Sequence, residues 1–404
     1  MTLENAKVIS PVKGIFLNAL SAGIYKKQRA DLALIQCESG SSISAVFTKN
    51  AFCAAPVIIS RNNLNETNPV YFLINAGNAN AGTGKKGIDD ALGTAISLSD
   101  YTGCHANEVL LFSTGVIGEY LPVDKIKQAI PALVDGLAID KWFSVSKAIM
   151  TTDTRPKIVS NSIRLNEKDV KITGIAKGSG MIKPDMATLL AFIGTDASVE
   201  HSILDDMLYE ITNVSFNRIT VDGDTSTNDA CVLIASGSSG SRQISSKKSD
   251  EYHILYNALE EVCIFLAKEI VRDGEGATKF ITLDIVGGHT IEECITVADN
   301  IAQSPLVKTA LFASDPNWGR ILAAIGRSSI NELKIEEINI FVDDLCIVSN
   351  GEKSAEYTEE KAAELFKQSE ITIRVEMNRG KFKTRHWTCD LSYDYVKINA
   401  EYRT

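Results

Sequence analysis

The chain has 404 residues, 45% of them apolar and 23% charged, with a formal charge of −10. That length allows two or three domains and a large buried core. The acidic balance, with no basic run, argues against nucleic acid or an anionic membrane as partner. No stretch reaches the ~18 apolar residues of a spanning helix, and Met1–Lys7 lacks a signal pattern. A cytoplasmic location is expected. Eight cysteines and five histidines are scattered without ligand spacing, so they read as reduced thiols and ordinary histidines, and neither metal nor cofactor is expected.

In chain order, Leu32–Cys37 and Ser42–Phe47 read as strands. Val70–Ile74 reads as a buried strand entering the Asn-rich loop 75–84, and Ile88–Leu98 has helical spacing. Val109–Phe112 is a strand ending at Ser113-Thr114-Gly115-Val116-Ile117-Gly118. Leu121–Ile130 and Trp142–Met150 look helical, and Ile158–Leu165 with Val170–Ile175 form a strand pair about a charged turn. Leu189–Ile193 is a candidate central strand, followed by a helix over His201–Asn213 and a short strand over Ile219–Asp222. Ser236–Asp250 is the most linker-like stretch, and Tyr252–Val271 is a long helix. Beyond about residue 280, strands and helices alternate as in a smaller second domain, and the apolar C-terminus reads as a docked strand.

Chemistry concentrates at Lys177-Gly178-Ser179-Gly180-Met181-Ile182-Lys183-Pro184-Asp185-Met186-Ala187-Thr188. A threonine hydroxyl is a weak nucleophile until a base sits beside it, and the nearest base is its own nitrogen. That nitrogen is an amide until the Ala187–Thr188 bond breaks. The pattern therefore suggests a chain that cleaves itself to make its catalyst.

Other constellations leave two readings each. Thr114-Gly115 at a strand end can donate to an oxyanion or be a plain turn. The 75–84 loop lacks phosphate-binding spacing and fits a tight turn near a pocket. Met150-Thr151-Thr152-Asp153-Thr154 can bind a substrate or cap a helix. Glu275, between two glycines, can read an ammonium group or be a solvated loop acid. Asp222–Asp229 lacks the later glutamate of a calcium loop, and with Asp315–Arg320 it reads as turn structure.

Taken in order, Phe47-Thr48-Lys49-Asn50, Ala54-Ala55-Pro56-Val57, the Asn-rich loop, Ser113–Gly118, Lys177–Leu190, Ser215–Ala230, Ser304–Arg327 and Cys389–Thr404 resemble the ornithine acetyltransferase (glutamate N-acetyltransferase) family of arginine biosynthesis. The likeness runs from about Lys13 to Thr404. It implies an α/β sandwich of the kind shared with self-cleaving aminopeptidases. A catalytic domain over 1–277 would span the cleavage point, and a smaller α/β domain over 278–404 would return its end to the active site. It also implies cleavage between Ala187 and Thr188 into fragments 1–187 and 188–404, associated as α2β2.

On this resemblance Thr188 is the nucleophile and Thr114 and Gly115 form the oxyanion hole. Thr151, Lys177, Thr188, Glu275, Asn399 and Thr404 bind substrate. The reaction would move the acetyl group of N-acetylornithine to glutamate through acetyl-Thr188. The freed α-amine, with a reference pKa of about 7.7–8.0, would serve as base, and Lys177 nearby would lower that pKa. Some family members also use acetyl-CoA as donor, and the quoted residues do not choose between the two kinds. Nor do they fix the cleavage efficiency, the assembly state or feedback by arginine. The chain departs from the family at Lys183 (commonly histidine), Asp185 (asparagine), Gly82 (often cysteine) and Arg403 (a small hydroxyl residue in some members). Cleavage rate is what the first two touch. Two competing readings are a self-processing aminopeptidase or amidase on the same fold, separated by an acetyl-acceptor assay, and a non-catalytic binding protein, which failure to cleave would favour.

Overall fold

A computed structural model describes residues 9–25, 28–183 and 189–401. The chain divides into two units, one reaching to Asn217 and resuming over Asp224–Ile270, the other comprising Arg218–Gly223 and the chain from Val271 onward. The division falls after Ile270, and six residues of the earlier chain, Arg218–Gly223, belong to the second unit.

The first unit contains strands β1 (Ile15–Leu20), β2 (Leu32–Cys37), β3 (Ser42–Phe47), β4 (Tyr71–Asn78), β5 (Val109–Val116), β6 (Lys157–Leu165), β7 (Lys168–Lys177), β8 (Leu190–Thr195) and β9 (Ala230–Ala235). Its helices are α1 (Ala55–Glu66), α2 (Gly84–Thr102), α3 (Val123–Asp135), α4 (Trp142–Ala148), α5 (His201–Val214) and α6 (Asp250–Arg272), the last running just past the division. They build a four-stranded sheet, β1-β2-β4-β5, and a five-stranded sheet, β3-β9-β8-β7-β6.

Side chains on a strand alternate between faces, and that alternation makes the layers. Leu32, Leu34, Tyr71, Leu73, Val109 and Leu111 share a cluster with Ala91, Ala95 and Leu98 of α2 and Ile126 and Ile130 of α3. Their neighbours Ala33, Ile35, Phe72, Ile74, Leu110 and Phe112 point the other way, into one core with Ile43, Ile175, Phe192 and Val232 of the second sheet. Phe112 meets Phe192 edge to face across this core, with ring centroids 5.0 Å apart. Helix α5 runs along β3, and Val262 and Leu266 of α6 lie against Gly174 on β7. The result is the helix–sheet–sheet–helix sandwich that the sequence resemblance implied. Trp142 of α4 is fully buried in the inner core. It fits because position 194 is glycine, where a Cβ would come within 2.6 Å of Ile15 and 2.9 Å of Trp142.

The second sheet interleaves distant parts of the chain. β8 pairs with β7 from Ile172↔Thr195 to Lys177↔Leu190 and lies parallel to β9, while β9 pairs with β3 along its other edge. Strands β8 and β9, both later than residue 188, are therefore flanked by β3 and β7, both earlier.

The second unit holds β10 (Phe280–Gly288), α7 (Ile291–Ala302), α8 (Pro305–Phe312), α9 (Trp318–Gly326), β11 (Asn339–Val342), β12 (Leu345–Ser349), β13 (Glu352–Lys353), α10 (Glu359–Phe366), β14 (Glu370–Glu376), β15 (Phe382–Cys389) and α11 (Tyr393–Ala400). Its strands form one mixed sheet, β13-β12-β11-β14-β10-β15. Hydroxyl and amide side chains start several of these helices: Thr290, Ser304, Asn317 and Thr358 each accept a bond from a first-turn N–H.

Three sequence expectations change. Ile219–Asp222 forms a single bridge, Ile219 to Trp387, and no strand. Ser236–Asp250 joins β9 to α6 within one unit and is tied down by Ser236, Gly237 and Ser239 amides donating to Thr195, Ala197 and Asp196 carbonyls at 2.8–3.0 Å. Hydrogen bonds to backbone, which composition does not reveal, turn this linker-like run into ordered surface. The C-terminal run is helix α11, whose alternating aromatics mimic a strand although Tyr393 and Val396 are 84% and 64% exposed.

Replacing Trp142 by alanine should destabilise the first unit by about 3–5 kcal/mol, the usual penalty for emptying a large buried aromatic site. A denaturant midpoint within error of wild type would show that Trp142 does not hold the two sheets together.

Candidate active site

β4 and β5 run parallel, in register from Tyr71↔Val109 to Ala76↔Thr114, so their carboxyl ends open on the same edge. At that edge the asparagines hold the backbone. Asn75 Nδ2 donates to the Asn78 carbonyl at 2.8 Å, Ser113 Oγ donates to Asn75 Oδ1 at 2.5 Å, and Asn80 Nδ2 donates to the Gly87 carbonyl at 2.9 Å. Asn75–Asn78 thus complete β4, and the loop read over 75–84 is confined to Ala79–Thr83 before α2. Gly115 has φ of 132°, and a Cβ there would lie 2.3 Å from the Gly77 carbonyl carbon and 2.6 Å from Asn78 N. Only glycine fits, so the peptide after Thr114 keeps a backbone that no other residue adopts without strain.

Across from this edge, β7 ends at Lys177. Its ammonium is buried and donates to Thr114 Oγ1 at 3.1 Å. An ammonium taken from water needs a counter-charge, and Asp153 supplies one. Asp153 is itself buried, and its Oδ1 accepts from Lys157 Nζ and Gly178 N, both at 2.7 Å. Its Oδ2 accepts from Thr151 N at 2.9 Å. Burial pushes the Asp153 carboxyl up, but Lys157, Lys177 and the Gly178 amide outweigh it and hold the carboxyl well below the usual carboxylate range. One carboxylate therefore fixes the turn bearing Thr151, the start of β6 and the residue after β7. The acid of the Thr-Thr-Asp-Thr motif is its structural centre.

A cavity of about 30 Å³ is lined by Thr114, Lys177, Leu189, Leu190, Asn228 and Asp229, among others, room for roughly one or two waters. Gly180–Ile182 and Leu189–Leu190, which line it, stand on either side of the candidate cleavage point in sequence. Asp229, which the sequence marked only as part of a turn, is buried on this wall, and its Oδ2 has no hydrogen-bond partner among the described residues. Burial raises its carboxyl well above the usual range, against the opposing Ser226 hydrogen bond and Lys177 charge. No spacing rule singles it out, because its position depends on β9 lying beside β8.

The second unit joins two further candidates. Asn399 Nδ2 on α11 donates to Glu275 Oε2 at 2.8 Å, and Glu275 is 8% exposed, which excludes a solvated loop acid. A Cβ on Gly276 would lie 2.5 Å from Tyr395 N, so the glycine lets α11 close on this turn. Of Asp315–Arg320 only Asp315–Asn317 are turn, because Asn317 caps α9 and Trp318–Arg320 are its first residues. Ala187, Thr188 and Thr404, with Asp185 and Arg403, lie outside the described residues. Among the described residues there is no metal-binding group of three His, Cys, Asp or Glu, and no helix long and apolar enough to cross a membrane.

The chain is 49% identical over 396 residues to the "Arginine biosynthesis bifunctional protein ArgJ" of Pseudomonas syringae, covering 98% of both chains. It is 48% identical over 398 residues to the protein of that name from Psychrobacter arcticus, again covering 98% of both. Among solved structures, an ArgJ bifunctional protein from Bacillus halodurans matches with 42% identity and a TM-score of 0.49, over 51% of this chain and 96% of that one. Ornithine acetyltransferase of Mycobacterium tuberculosis, solved with ornithine, matches with 35% identity and a TM-score of 0.40, over 44% of this chain and 94% of that one. The ArgJ family model matches residues 17–404, and the chain belongs to the ArgJ family.

Proposed function

We propose that this protein is an acyltransferase of arginine biosynthesis that moves the acetyl group of N-acetylornithine to glutamate after cutting itself between Ala187 and Thr188. The observation that carries this reading is the buried Lys177–Thr114 contact of 3.1 Å on the wall that Leu189 and Leu190 complete. It gathers the expected oxyanion hydroxyl and a fixed cation where the chain emerges from the candidate junction.

The chemistry follows from these groups. Thr188 Oγ attacks the acetyl carbon and gives its proton to the Thr188 α-amine. Negative charge on the acetyl oxygen is met by the Thr114 hydroxyl and by the backbone shaped by Gly115. Such donors contribute about 3–4 kcal/mol each at an oxyanion. The C–N bond breaks, the α-amine returns the proton to the leaving nitrogen, and ornithine departs from acetyl-Thr188. Glutamate then attacks the ester through its amine, loses a proton to the α-amine and leaves as N-acetylglutamate, while Oγ regains its hydrogen. Lys177 keeps the α-amine neutral by like-charge repulsion. Thr151, Glu275, Asn399 and Thr404 hold the two amino acids, with Glu275 accepting from a cationic group.

The word "bifunctional" in the names of the curated relatives supports a second donor, and we extend this to acetyl-CoA at the same nucleophile. That the two fragments stay together is supported by the interleaving of β8 and β9 with β3 and β7; the α2β2 assembly is what the family resemblance implies. A cytoplasmic location is supported by eight free cysteines, since disulfides persist in oxidising compartments.

Thr188→Ala should give an uncut, inactive chain of 43.9 kDa by intact mass under denaturing conditions, whereas Thr188→Ser should retain some cleavage. Cutting in the alanine variant would place the nucleophile elsewhere. Gly115→Ala should lower kcat by about 10²-fold or more by displacing the oxyanion backbone, and an unchanged kcat would remove Gly115 from that role. With no glutamate present, labelled ornithine should exchange into N-acetylornithine. Exchange that appears only with glutamate would rule out the acetyl-enzyme.

A further inference from the structure

We propose that Asp153 is a positioning residue for acetyl transfer: it holds Lys177 as an ammonium, and the ammonium leaves the Thr114 hydrogen free to donate into the cavity. This rests on the reading that Thr114 receives the developing negative charge. Three observations of geometry carry it. Lys177 Nζ donates to Thr114 Oγ1 at 3.1 Å. Thr114 is 9% exposed and lines the cavity with Lys177, and its hydroxyl donates to no acceptor among the described residues. Asp153, itself buried, accepts from the Gly178 amide, next to Lys177 in the chain, at 2.7 Å and from the Thr151 amide at 2.9 Å.

The direction of the Lys177–Thr114 bond depends on one proton. An ammonium has donors and no acceptor, whereas a hydroxyl has a single hydrogen. Charged Lys177 therefore takes a lone pair of Oγ1, and the hydroxyl hydrogen has to point elsewhere. Polarised by the cation, that O–H is also the stronger donor. A neutral amine carries a lone pair of its own and accepts the Thr114 hydrogen, which withdraws it from the cavity. Burial favours the neutral amine, so the charge needs a fixed anion. Among the described residues two acids act on Lys177, Asp153 from the turn before β6 and Asp229 from the loop before β9. Burial pushes both carboxyls up. At Asp229 burial prevails, and the carboxyl lies well above the usual range. At Asp153 it is outweighed by Lys157 of β6, Lys177 and the Gly178 amide, so this carboxylate supplies the lasting negative charge. Leu190, paired with Lys177 from β8, and Asn228 on the cavity wall are uncharged.

Wild type, Asp153→Asn, Lys177→Met and the double variant decide it. Two quantities are followed against pH: kcat for acetyl transfer from N-acetylornithine to glutamate, and the NMR signal of the Lys177 ε-carbon in protein made with isotope-labelled lysine. The signal is assigned by its loss in Lys177→Met. In Asp153→Asn the Lys177 signal should titrate at least about one pH unit lower than in wild type. Over the same interval kcat should fall with rising pH by about 10²-fold, the usual loss of one oxyanion donor. Rising pH frees the Thr188 α-amine to act as base, which raises kcat, so an alkaline fall does not report on that group. A loss of packing alone lowers kcat equally at every pH. In the Lys177→Met background, Asp153→Asn should change kcat by one factor throughout, with no alkaline fall.

An unmoved Lys177 titration, or a moved one without the alkaline fall in kcat, overturns the inference and leaves the acetyltransferase reading intact. Wild type that transfers no acetyl group removes both. If Asp153→Asn does not fold or does not mature, Lys177→Met is compared with and without Thr114→Ala. The kcat loss from Lys177→Met should shrink by about 10-fold or more once Thr114 is alanine, because residues acting through one another are not additive. Equal losses in the two backgrounds overturn the inference.

Discussion

Burying charge is the constraint on which the rest of the first unit depends. Asp153, Lys157, Lys177 and Asp229 all lie beneath the surface where β7 ends. Removing one partner of such a set typically costs about 3–5 kcal/mol, because it strands the other charge. Asp153 answers this by binding two ammonium groups electrostatically and two backbone amides directly. The positions of Thr151, Lys157, Lys177 and Gly178 are thereby one problem with one solution. Asp229 meets the same constraint differently: burial pushes its carboxyl well above the usual carboxylate range.

The two sides of the site are built by different means. On the β4–β5 side the work falls to backbone: Gly115 and the asparagine side chains that stiffen the turn fix where peptide groups point. On the β7 side it falls to side chains whose charges have nowhere else to go. A backbone donor tolerates no substitution at its glycine, whereas a side-chain charge tolerates change only if its partner changes too.

How much of this was legible in the sequence follows from the range of each signal. Short apolar runs such as Leu32–Cys37 and Ser42–Phe47 announce their strands, because their composition is a local signal. Thr114, Gly115 and Lys177 stand out from strand ends and glycine patterns, and ordered motifs join them to Thr188. The C-terminal helix was misread because eight residues with alternating aromatics satisfy either period. Ser236–Asp250 was misread because its order comes from carbonyls contributed by another segment. Asp153 was visible only as part of a hydroxyl cluster, and Asp229 only as a turn acid. Their roles depend on which strand lies next to which, and no single-sequence spacing encodes that.

In the proposed cleavage, the interleaved sheet would decide when the nucleophile comes into being. The junction's neighbours on either side, Lys177 and Leu190, face each other only once β7 and β8 have paired. β8 in turn is held by β9, and β9 by β3, more than 180 residues earlier in the chain. Contacts of such separation form late, after the loop entropy between them has been overcome. Under the proposed cleavage, a chain still disordered would lack the geometry to cut itself, and the broken bond would be a permanent record, written into the covalent structure, that each molecule once reached its native fold.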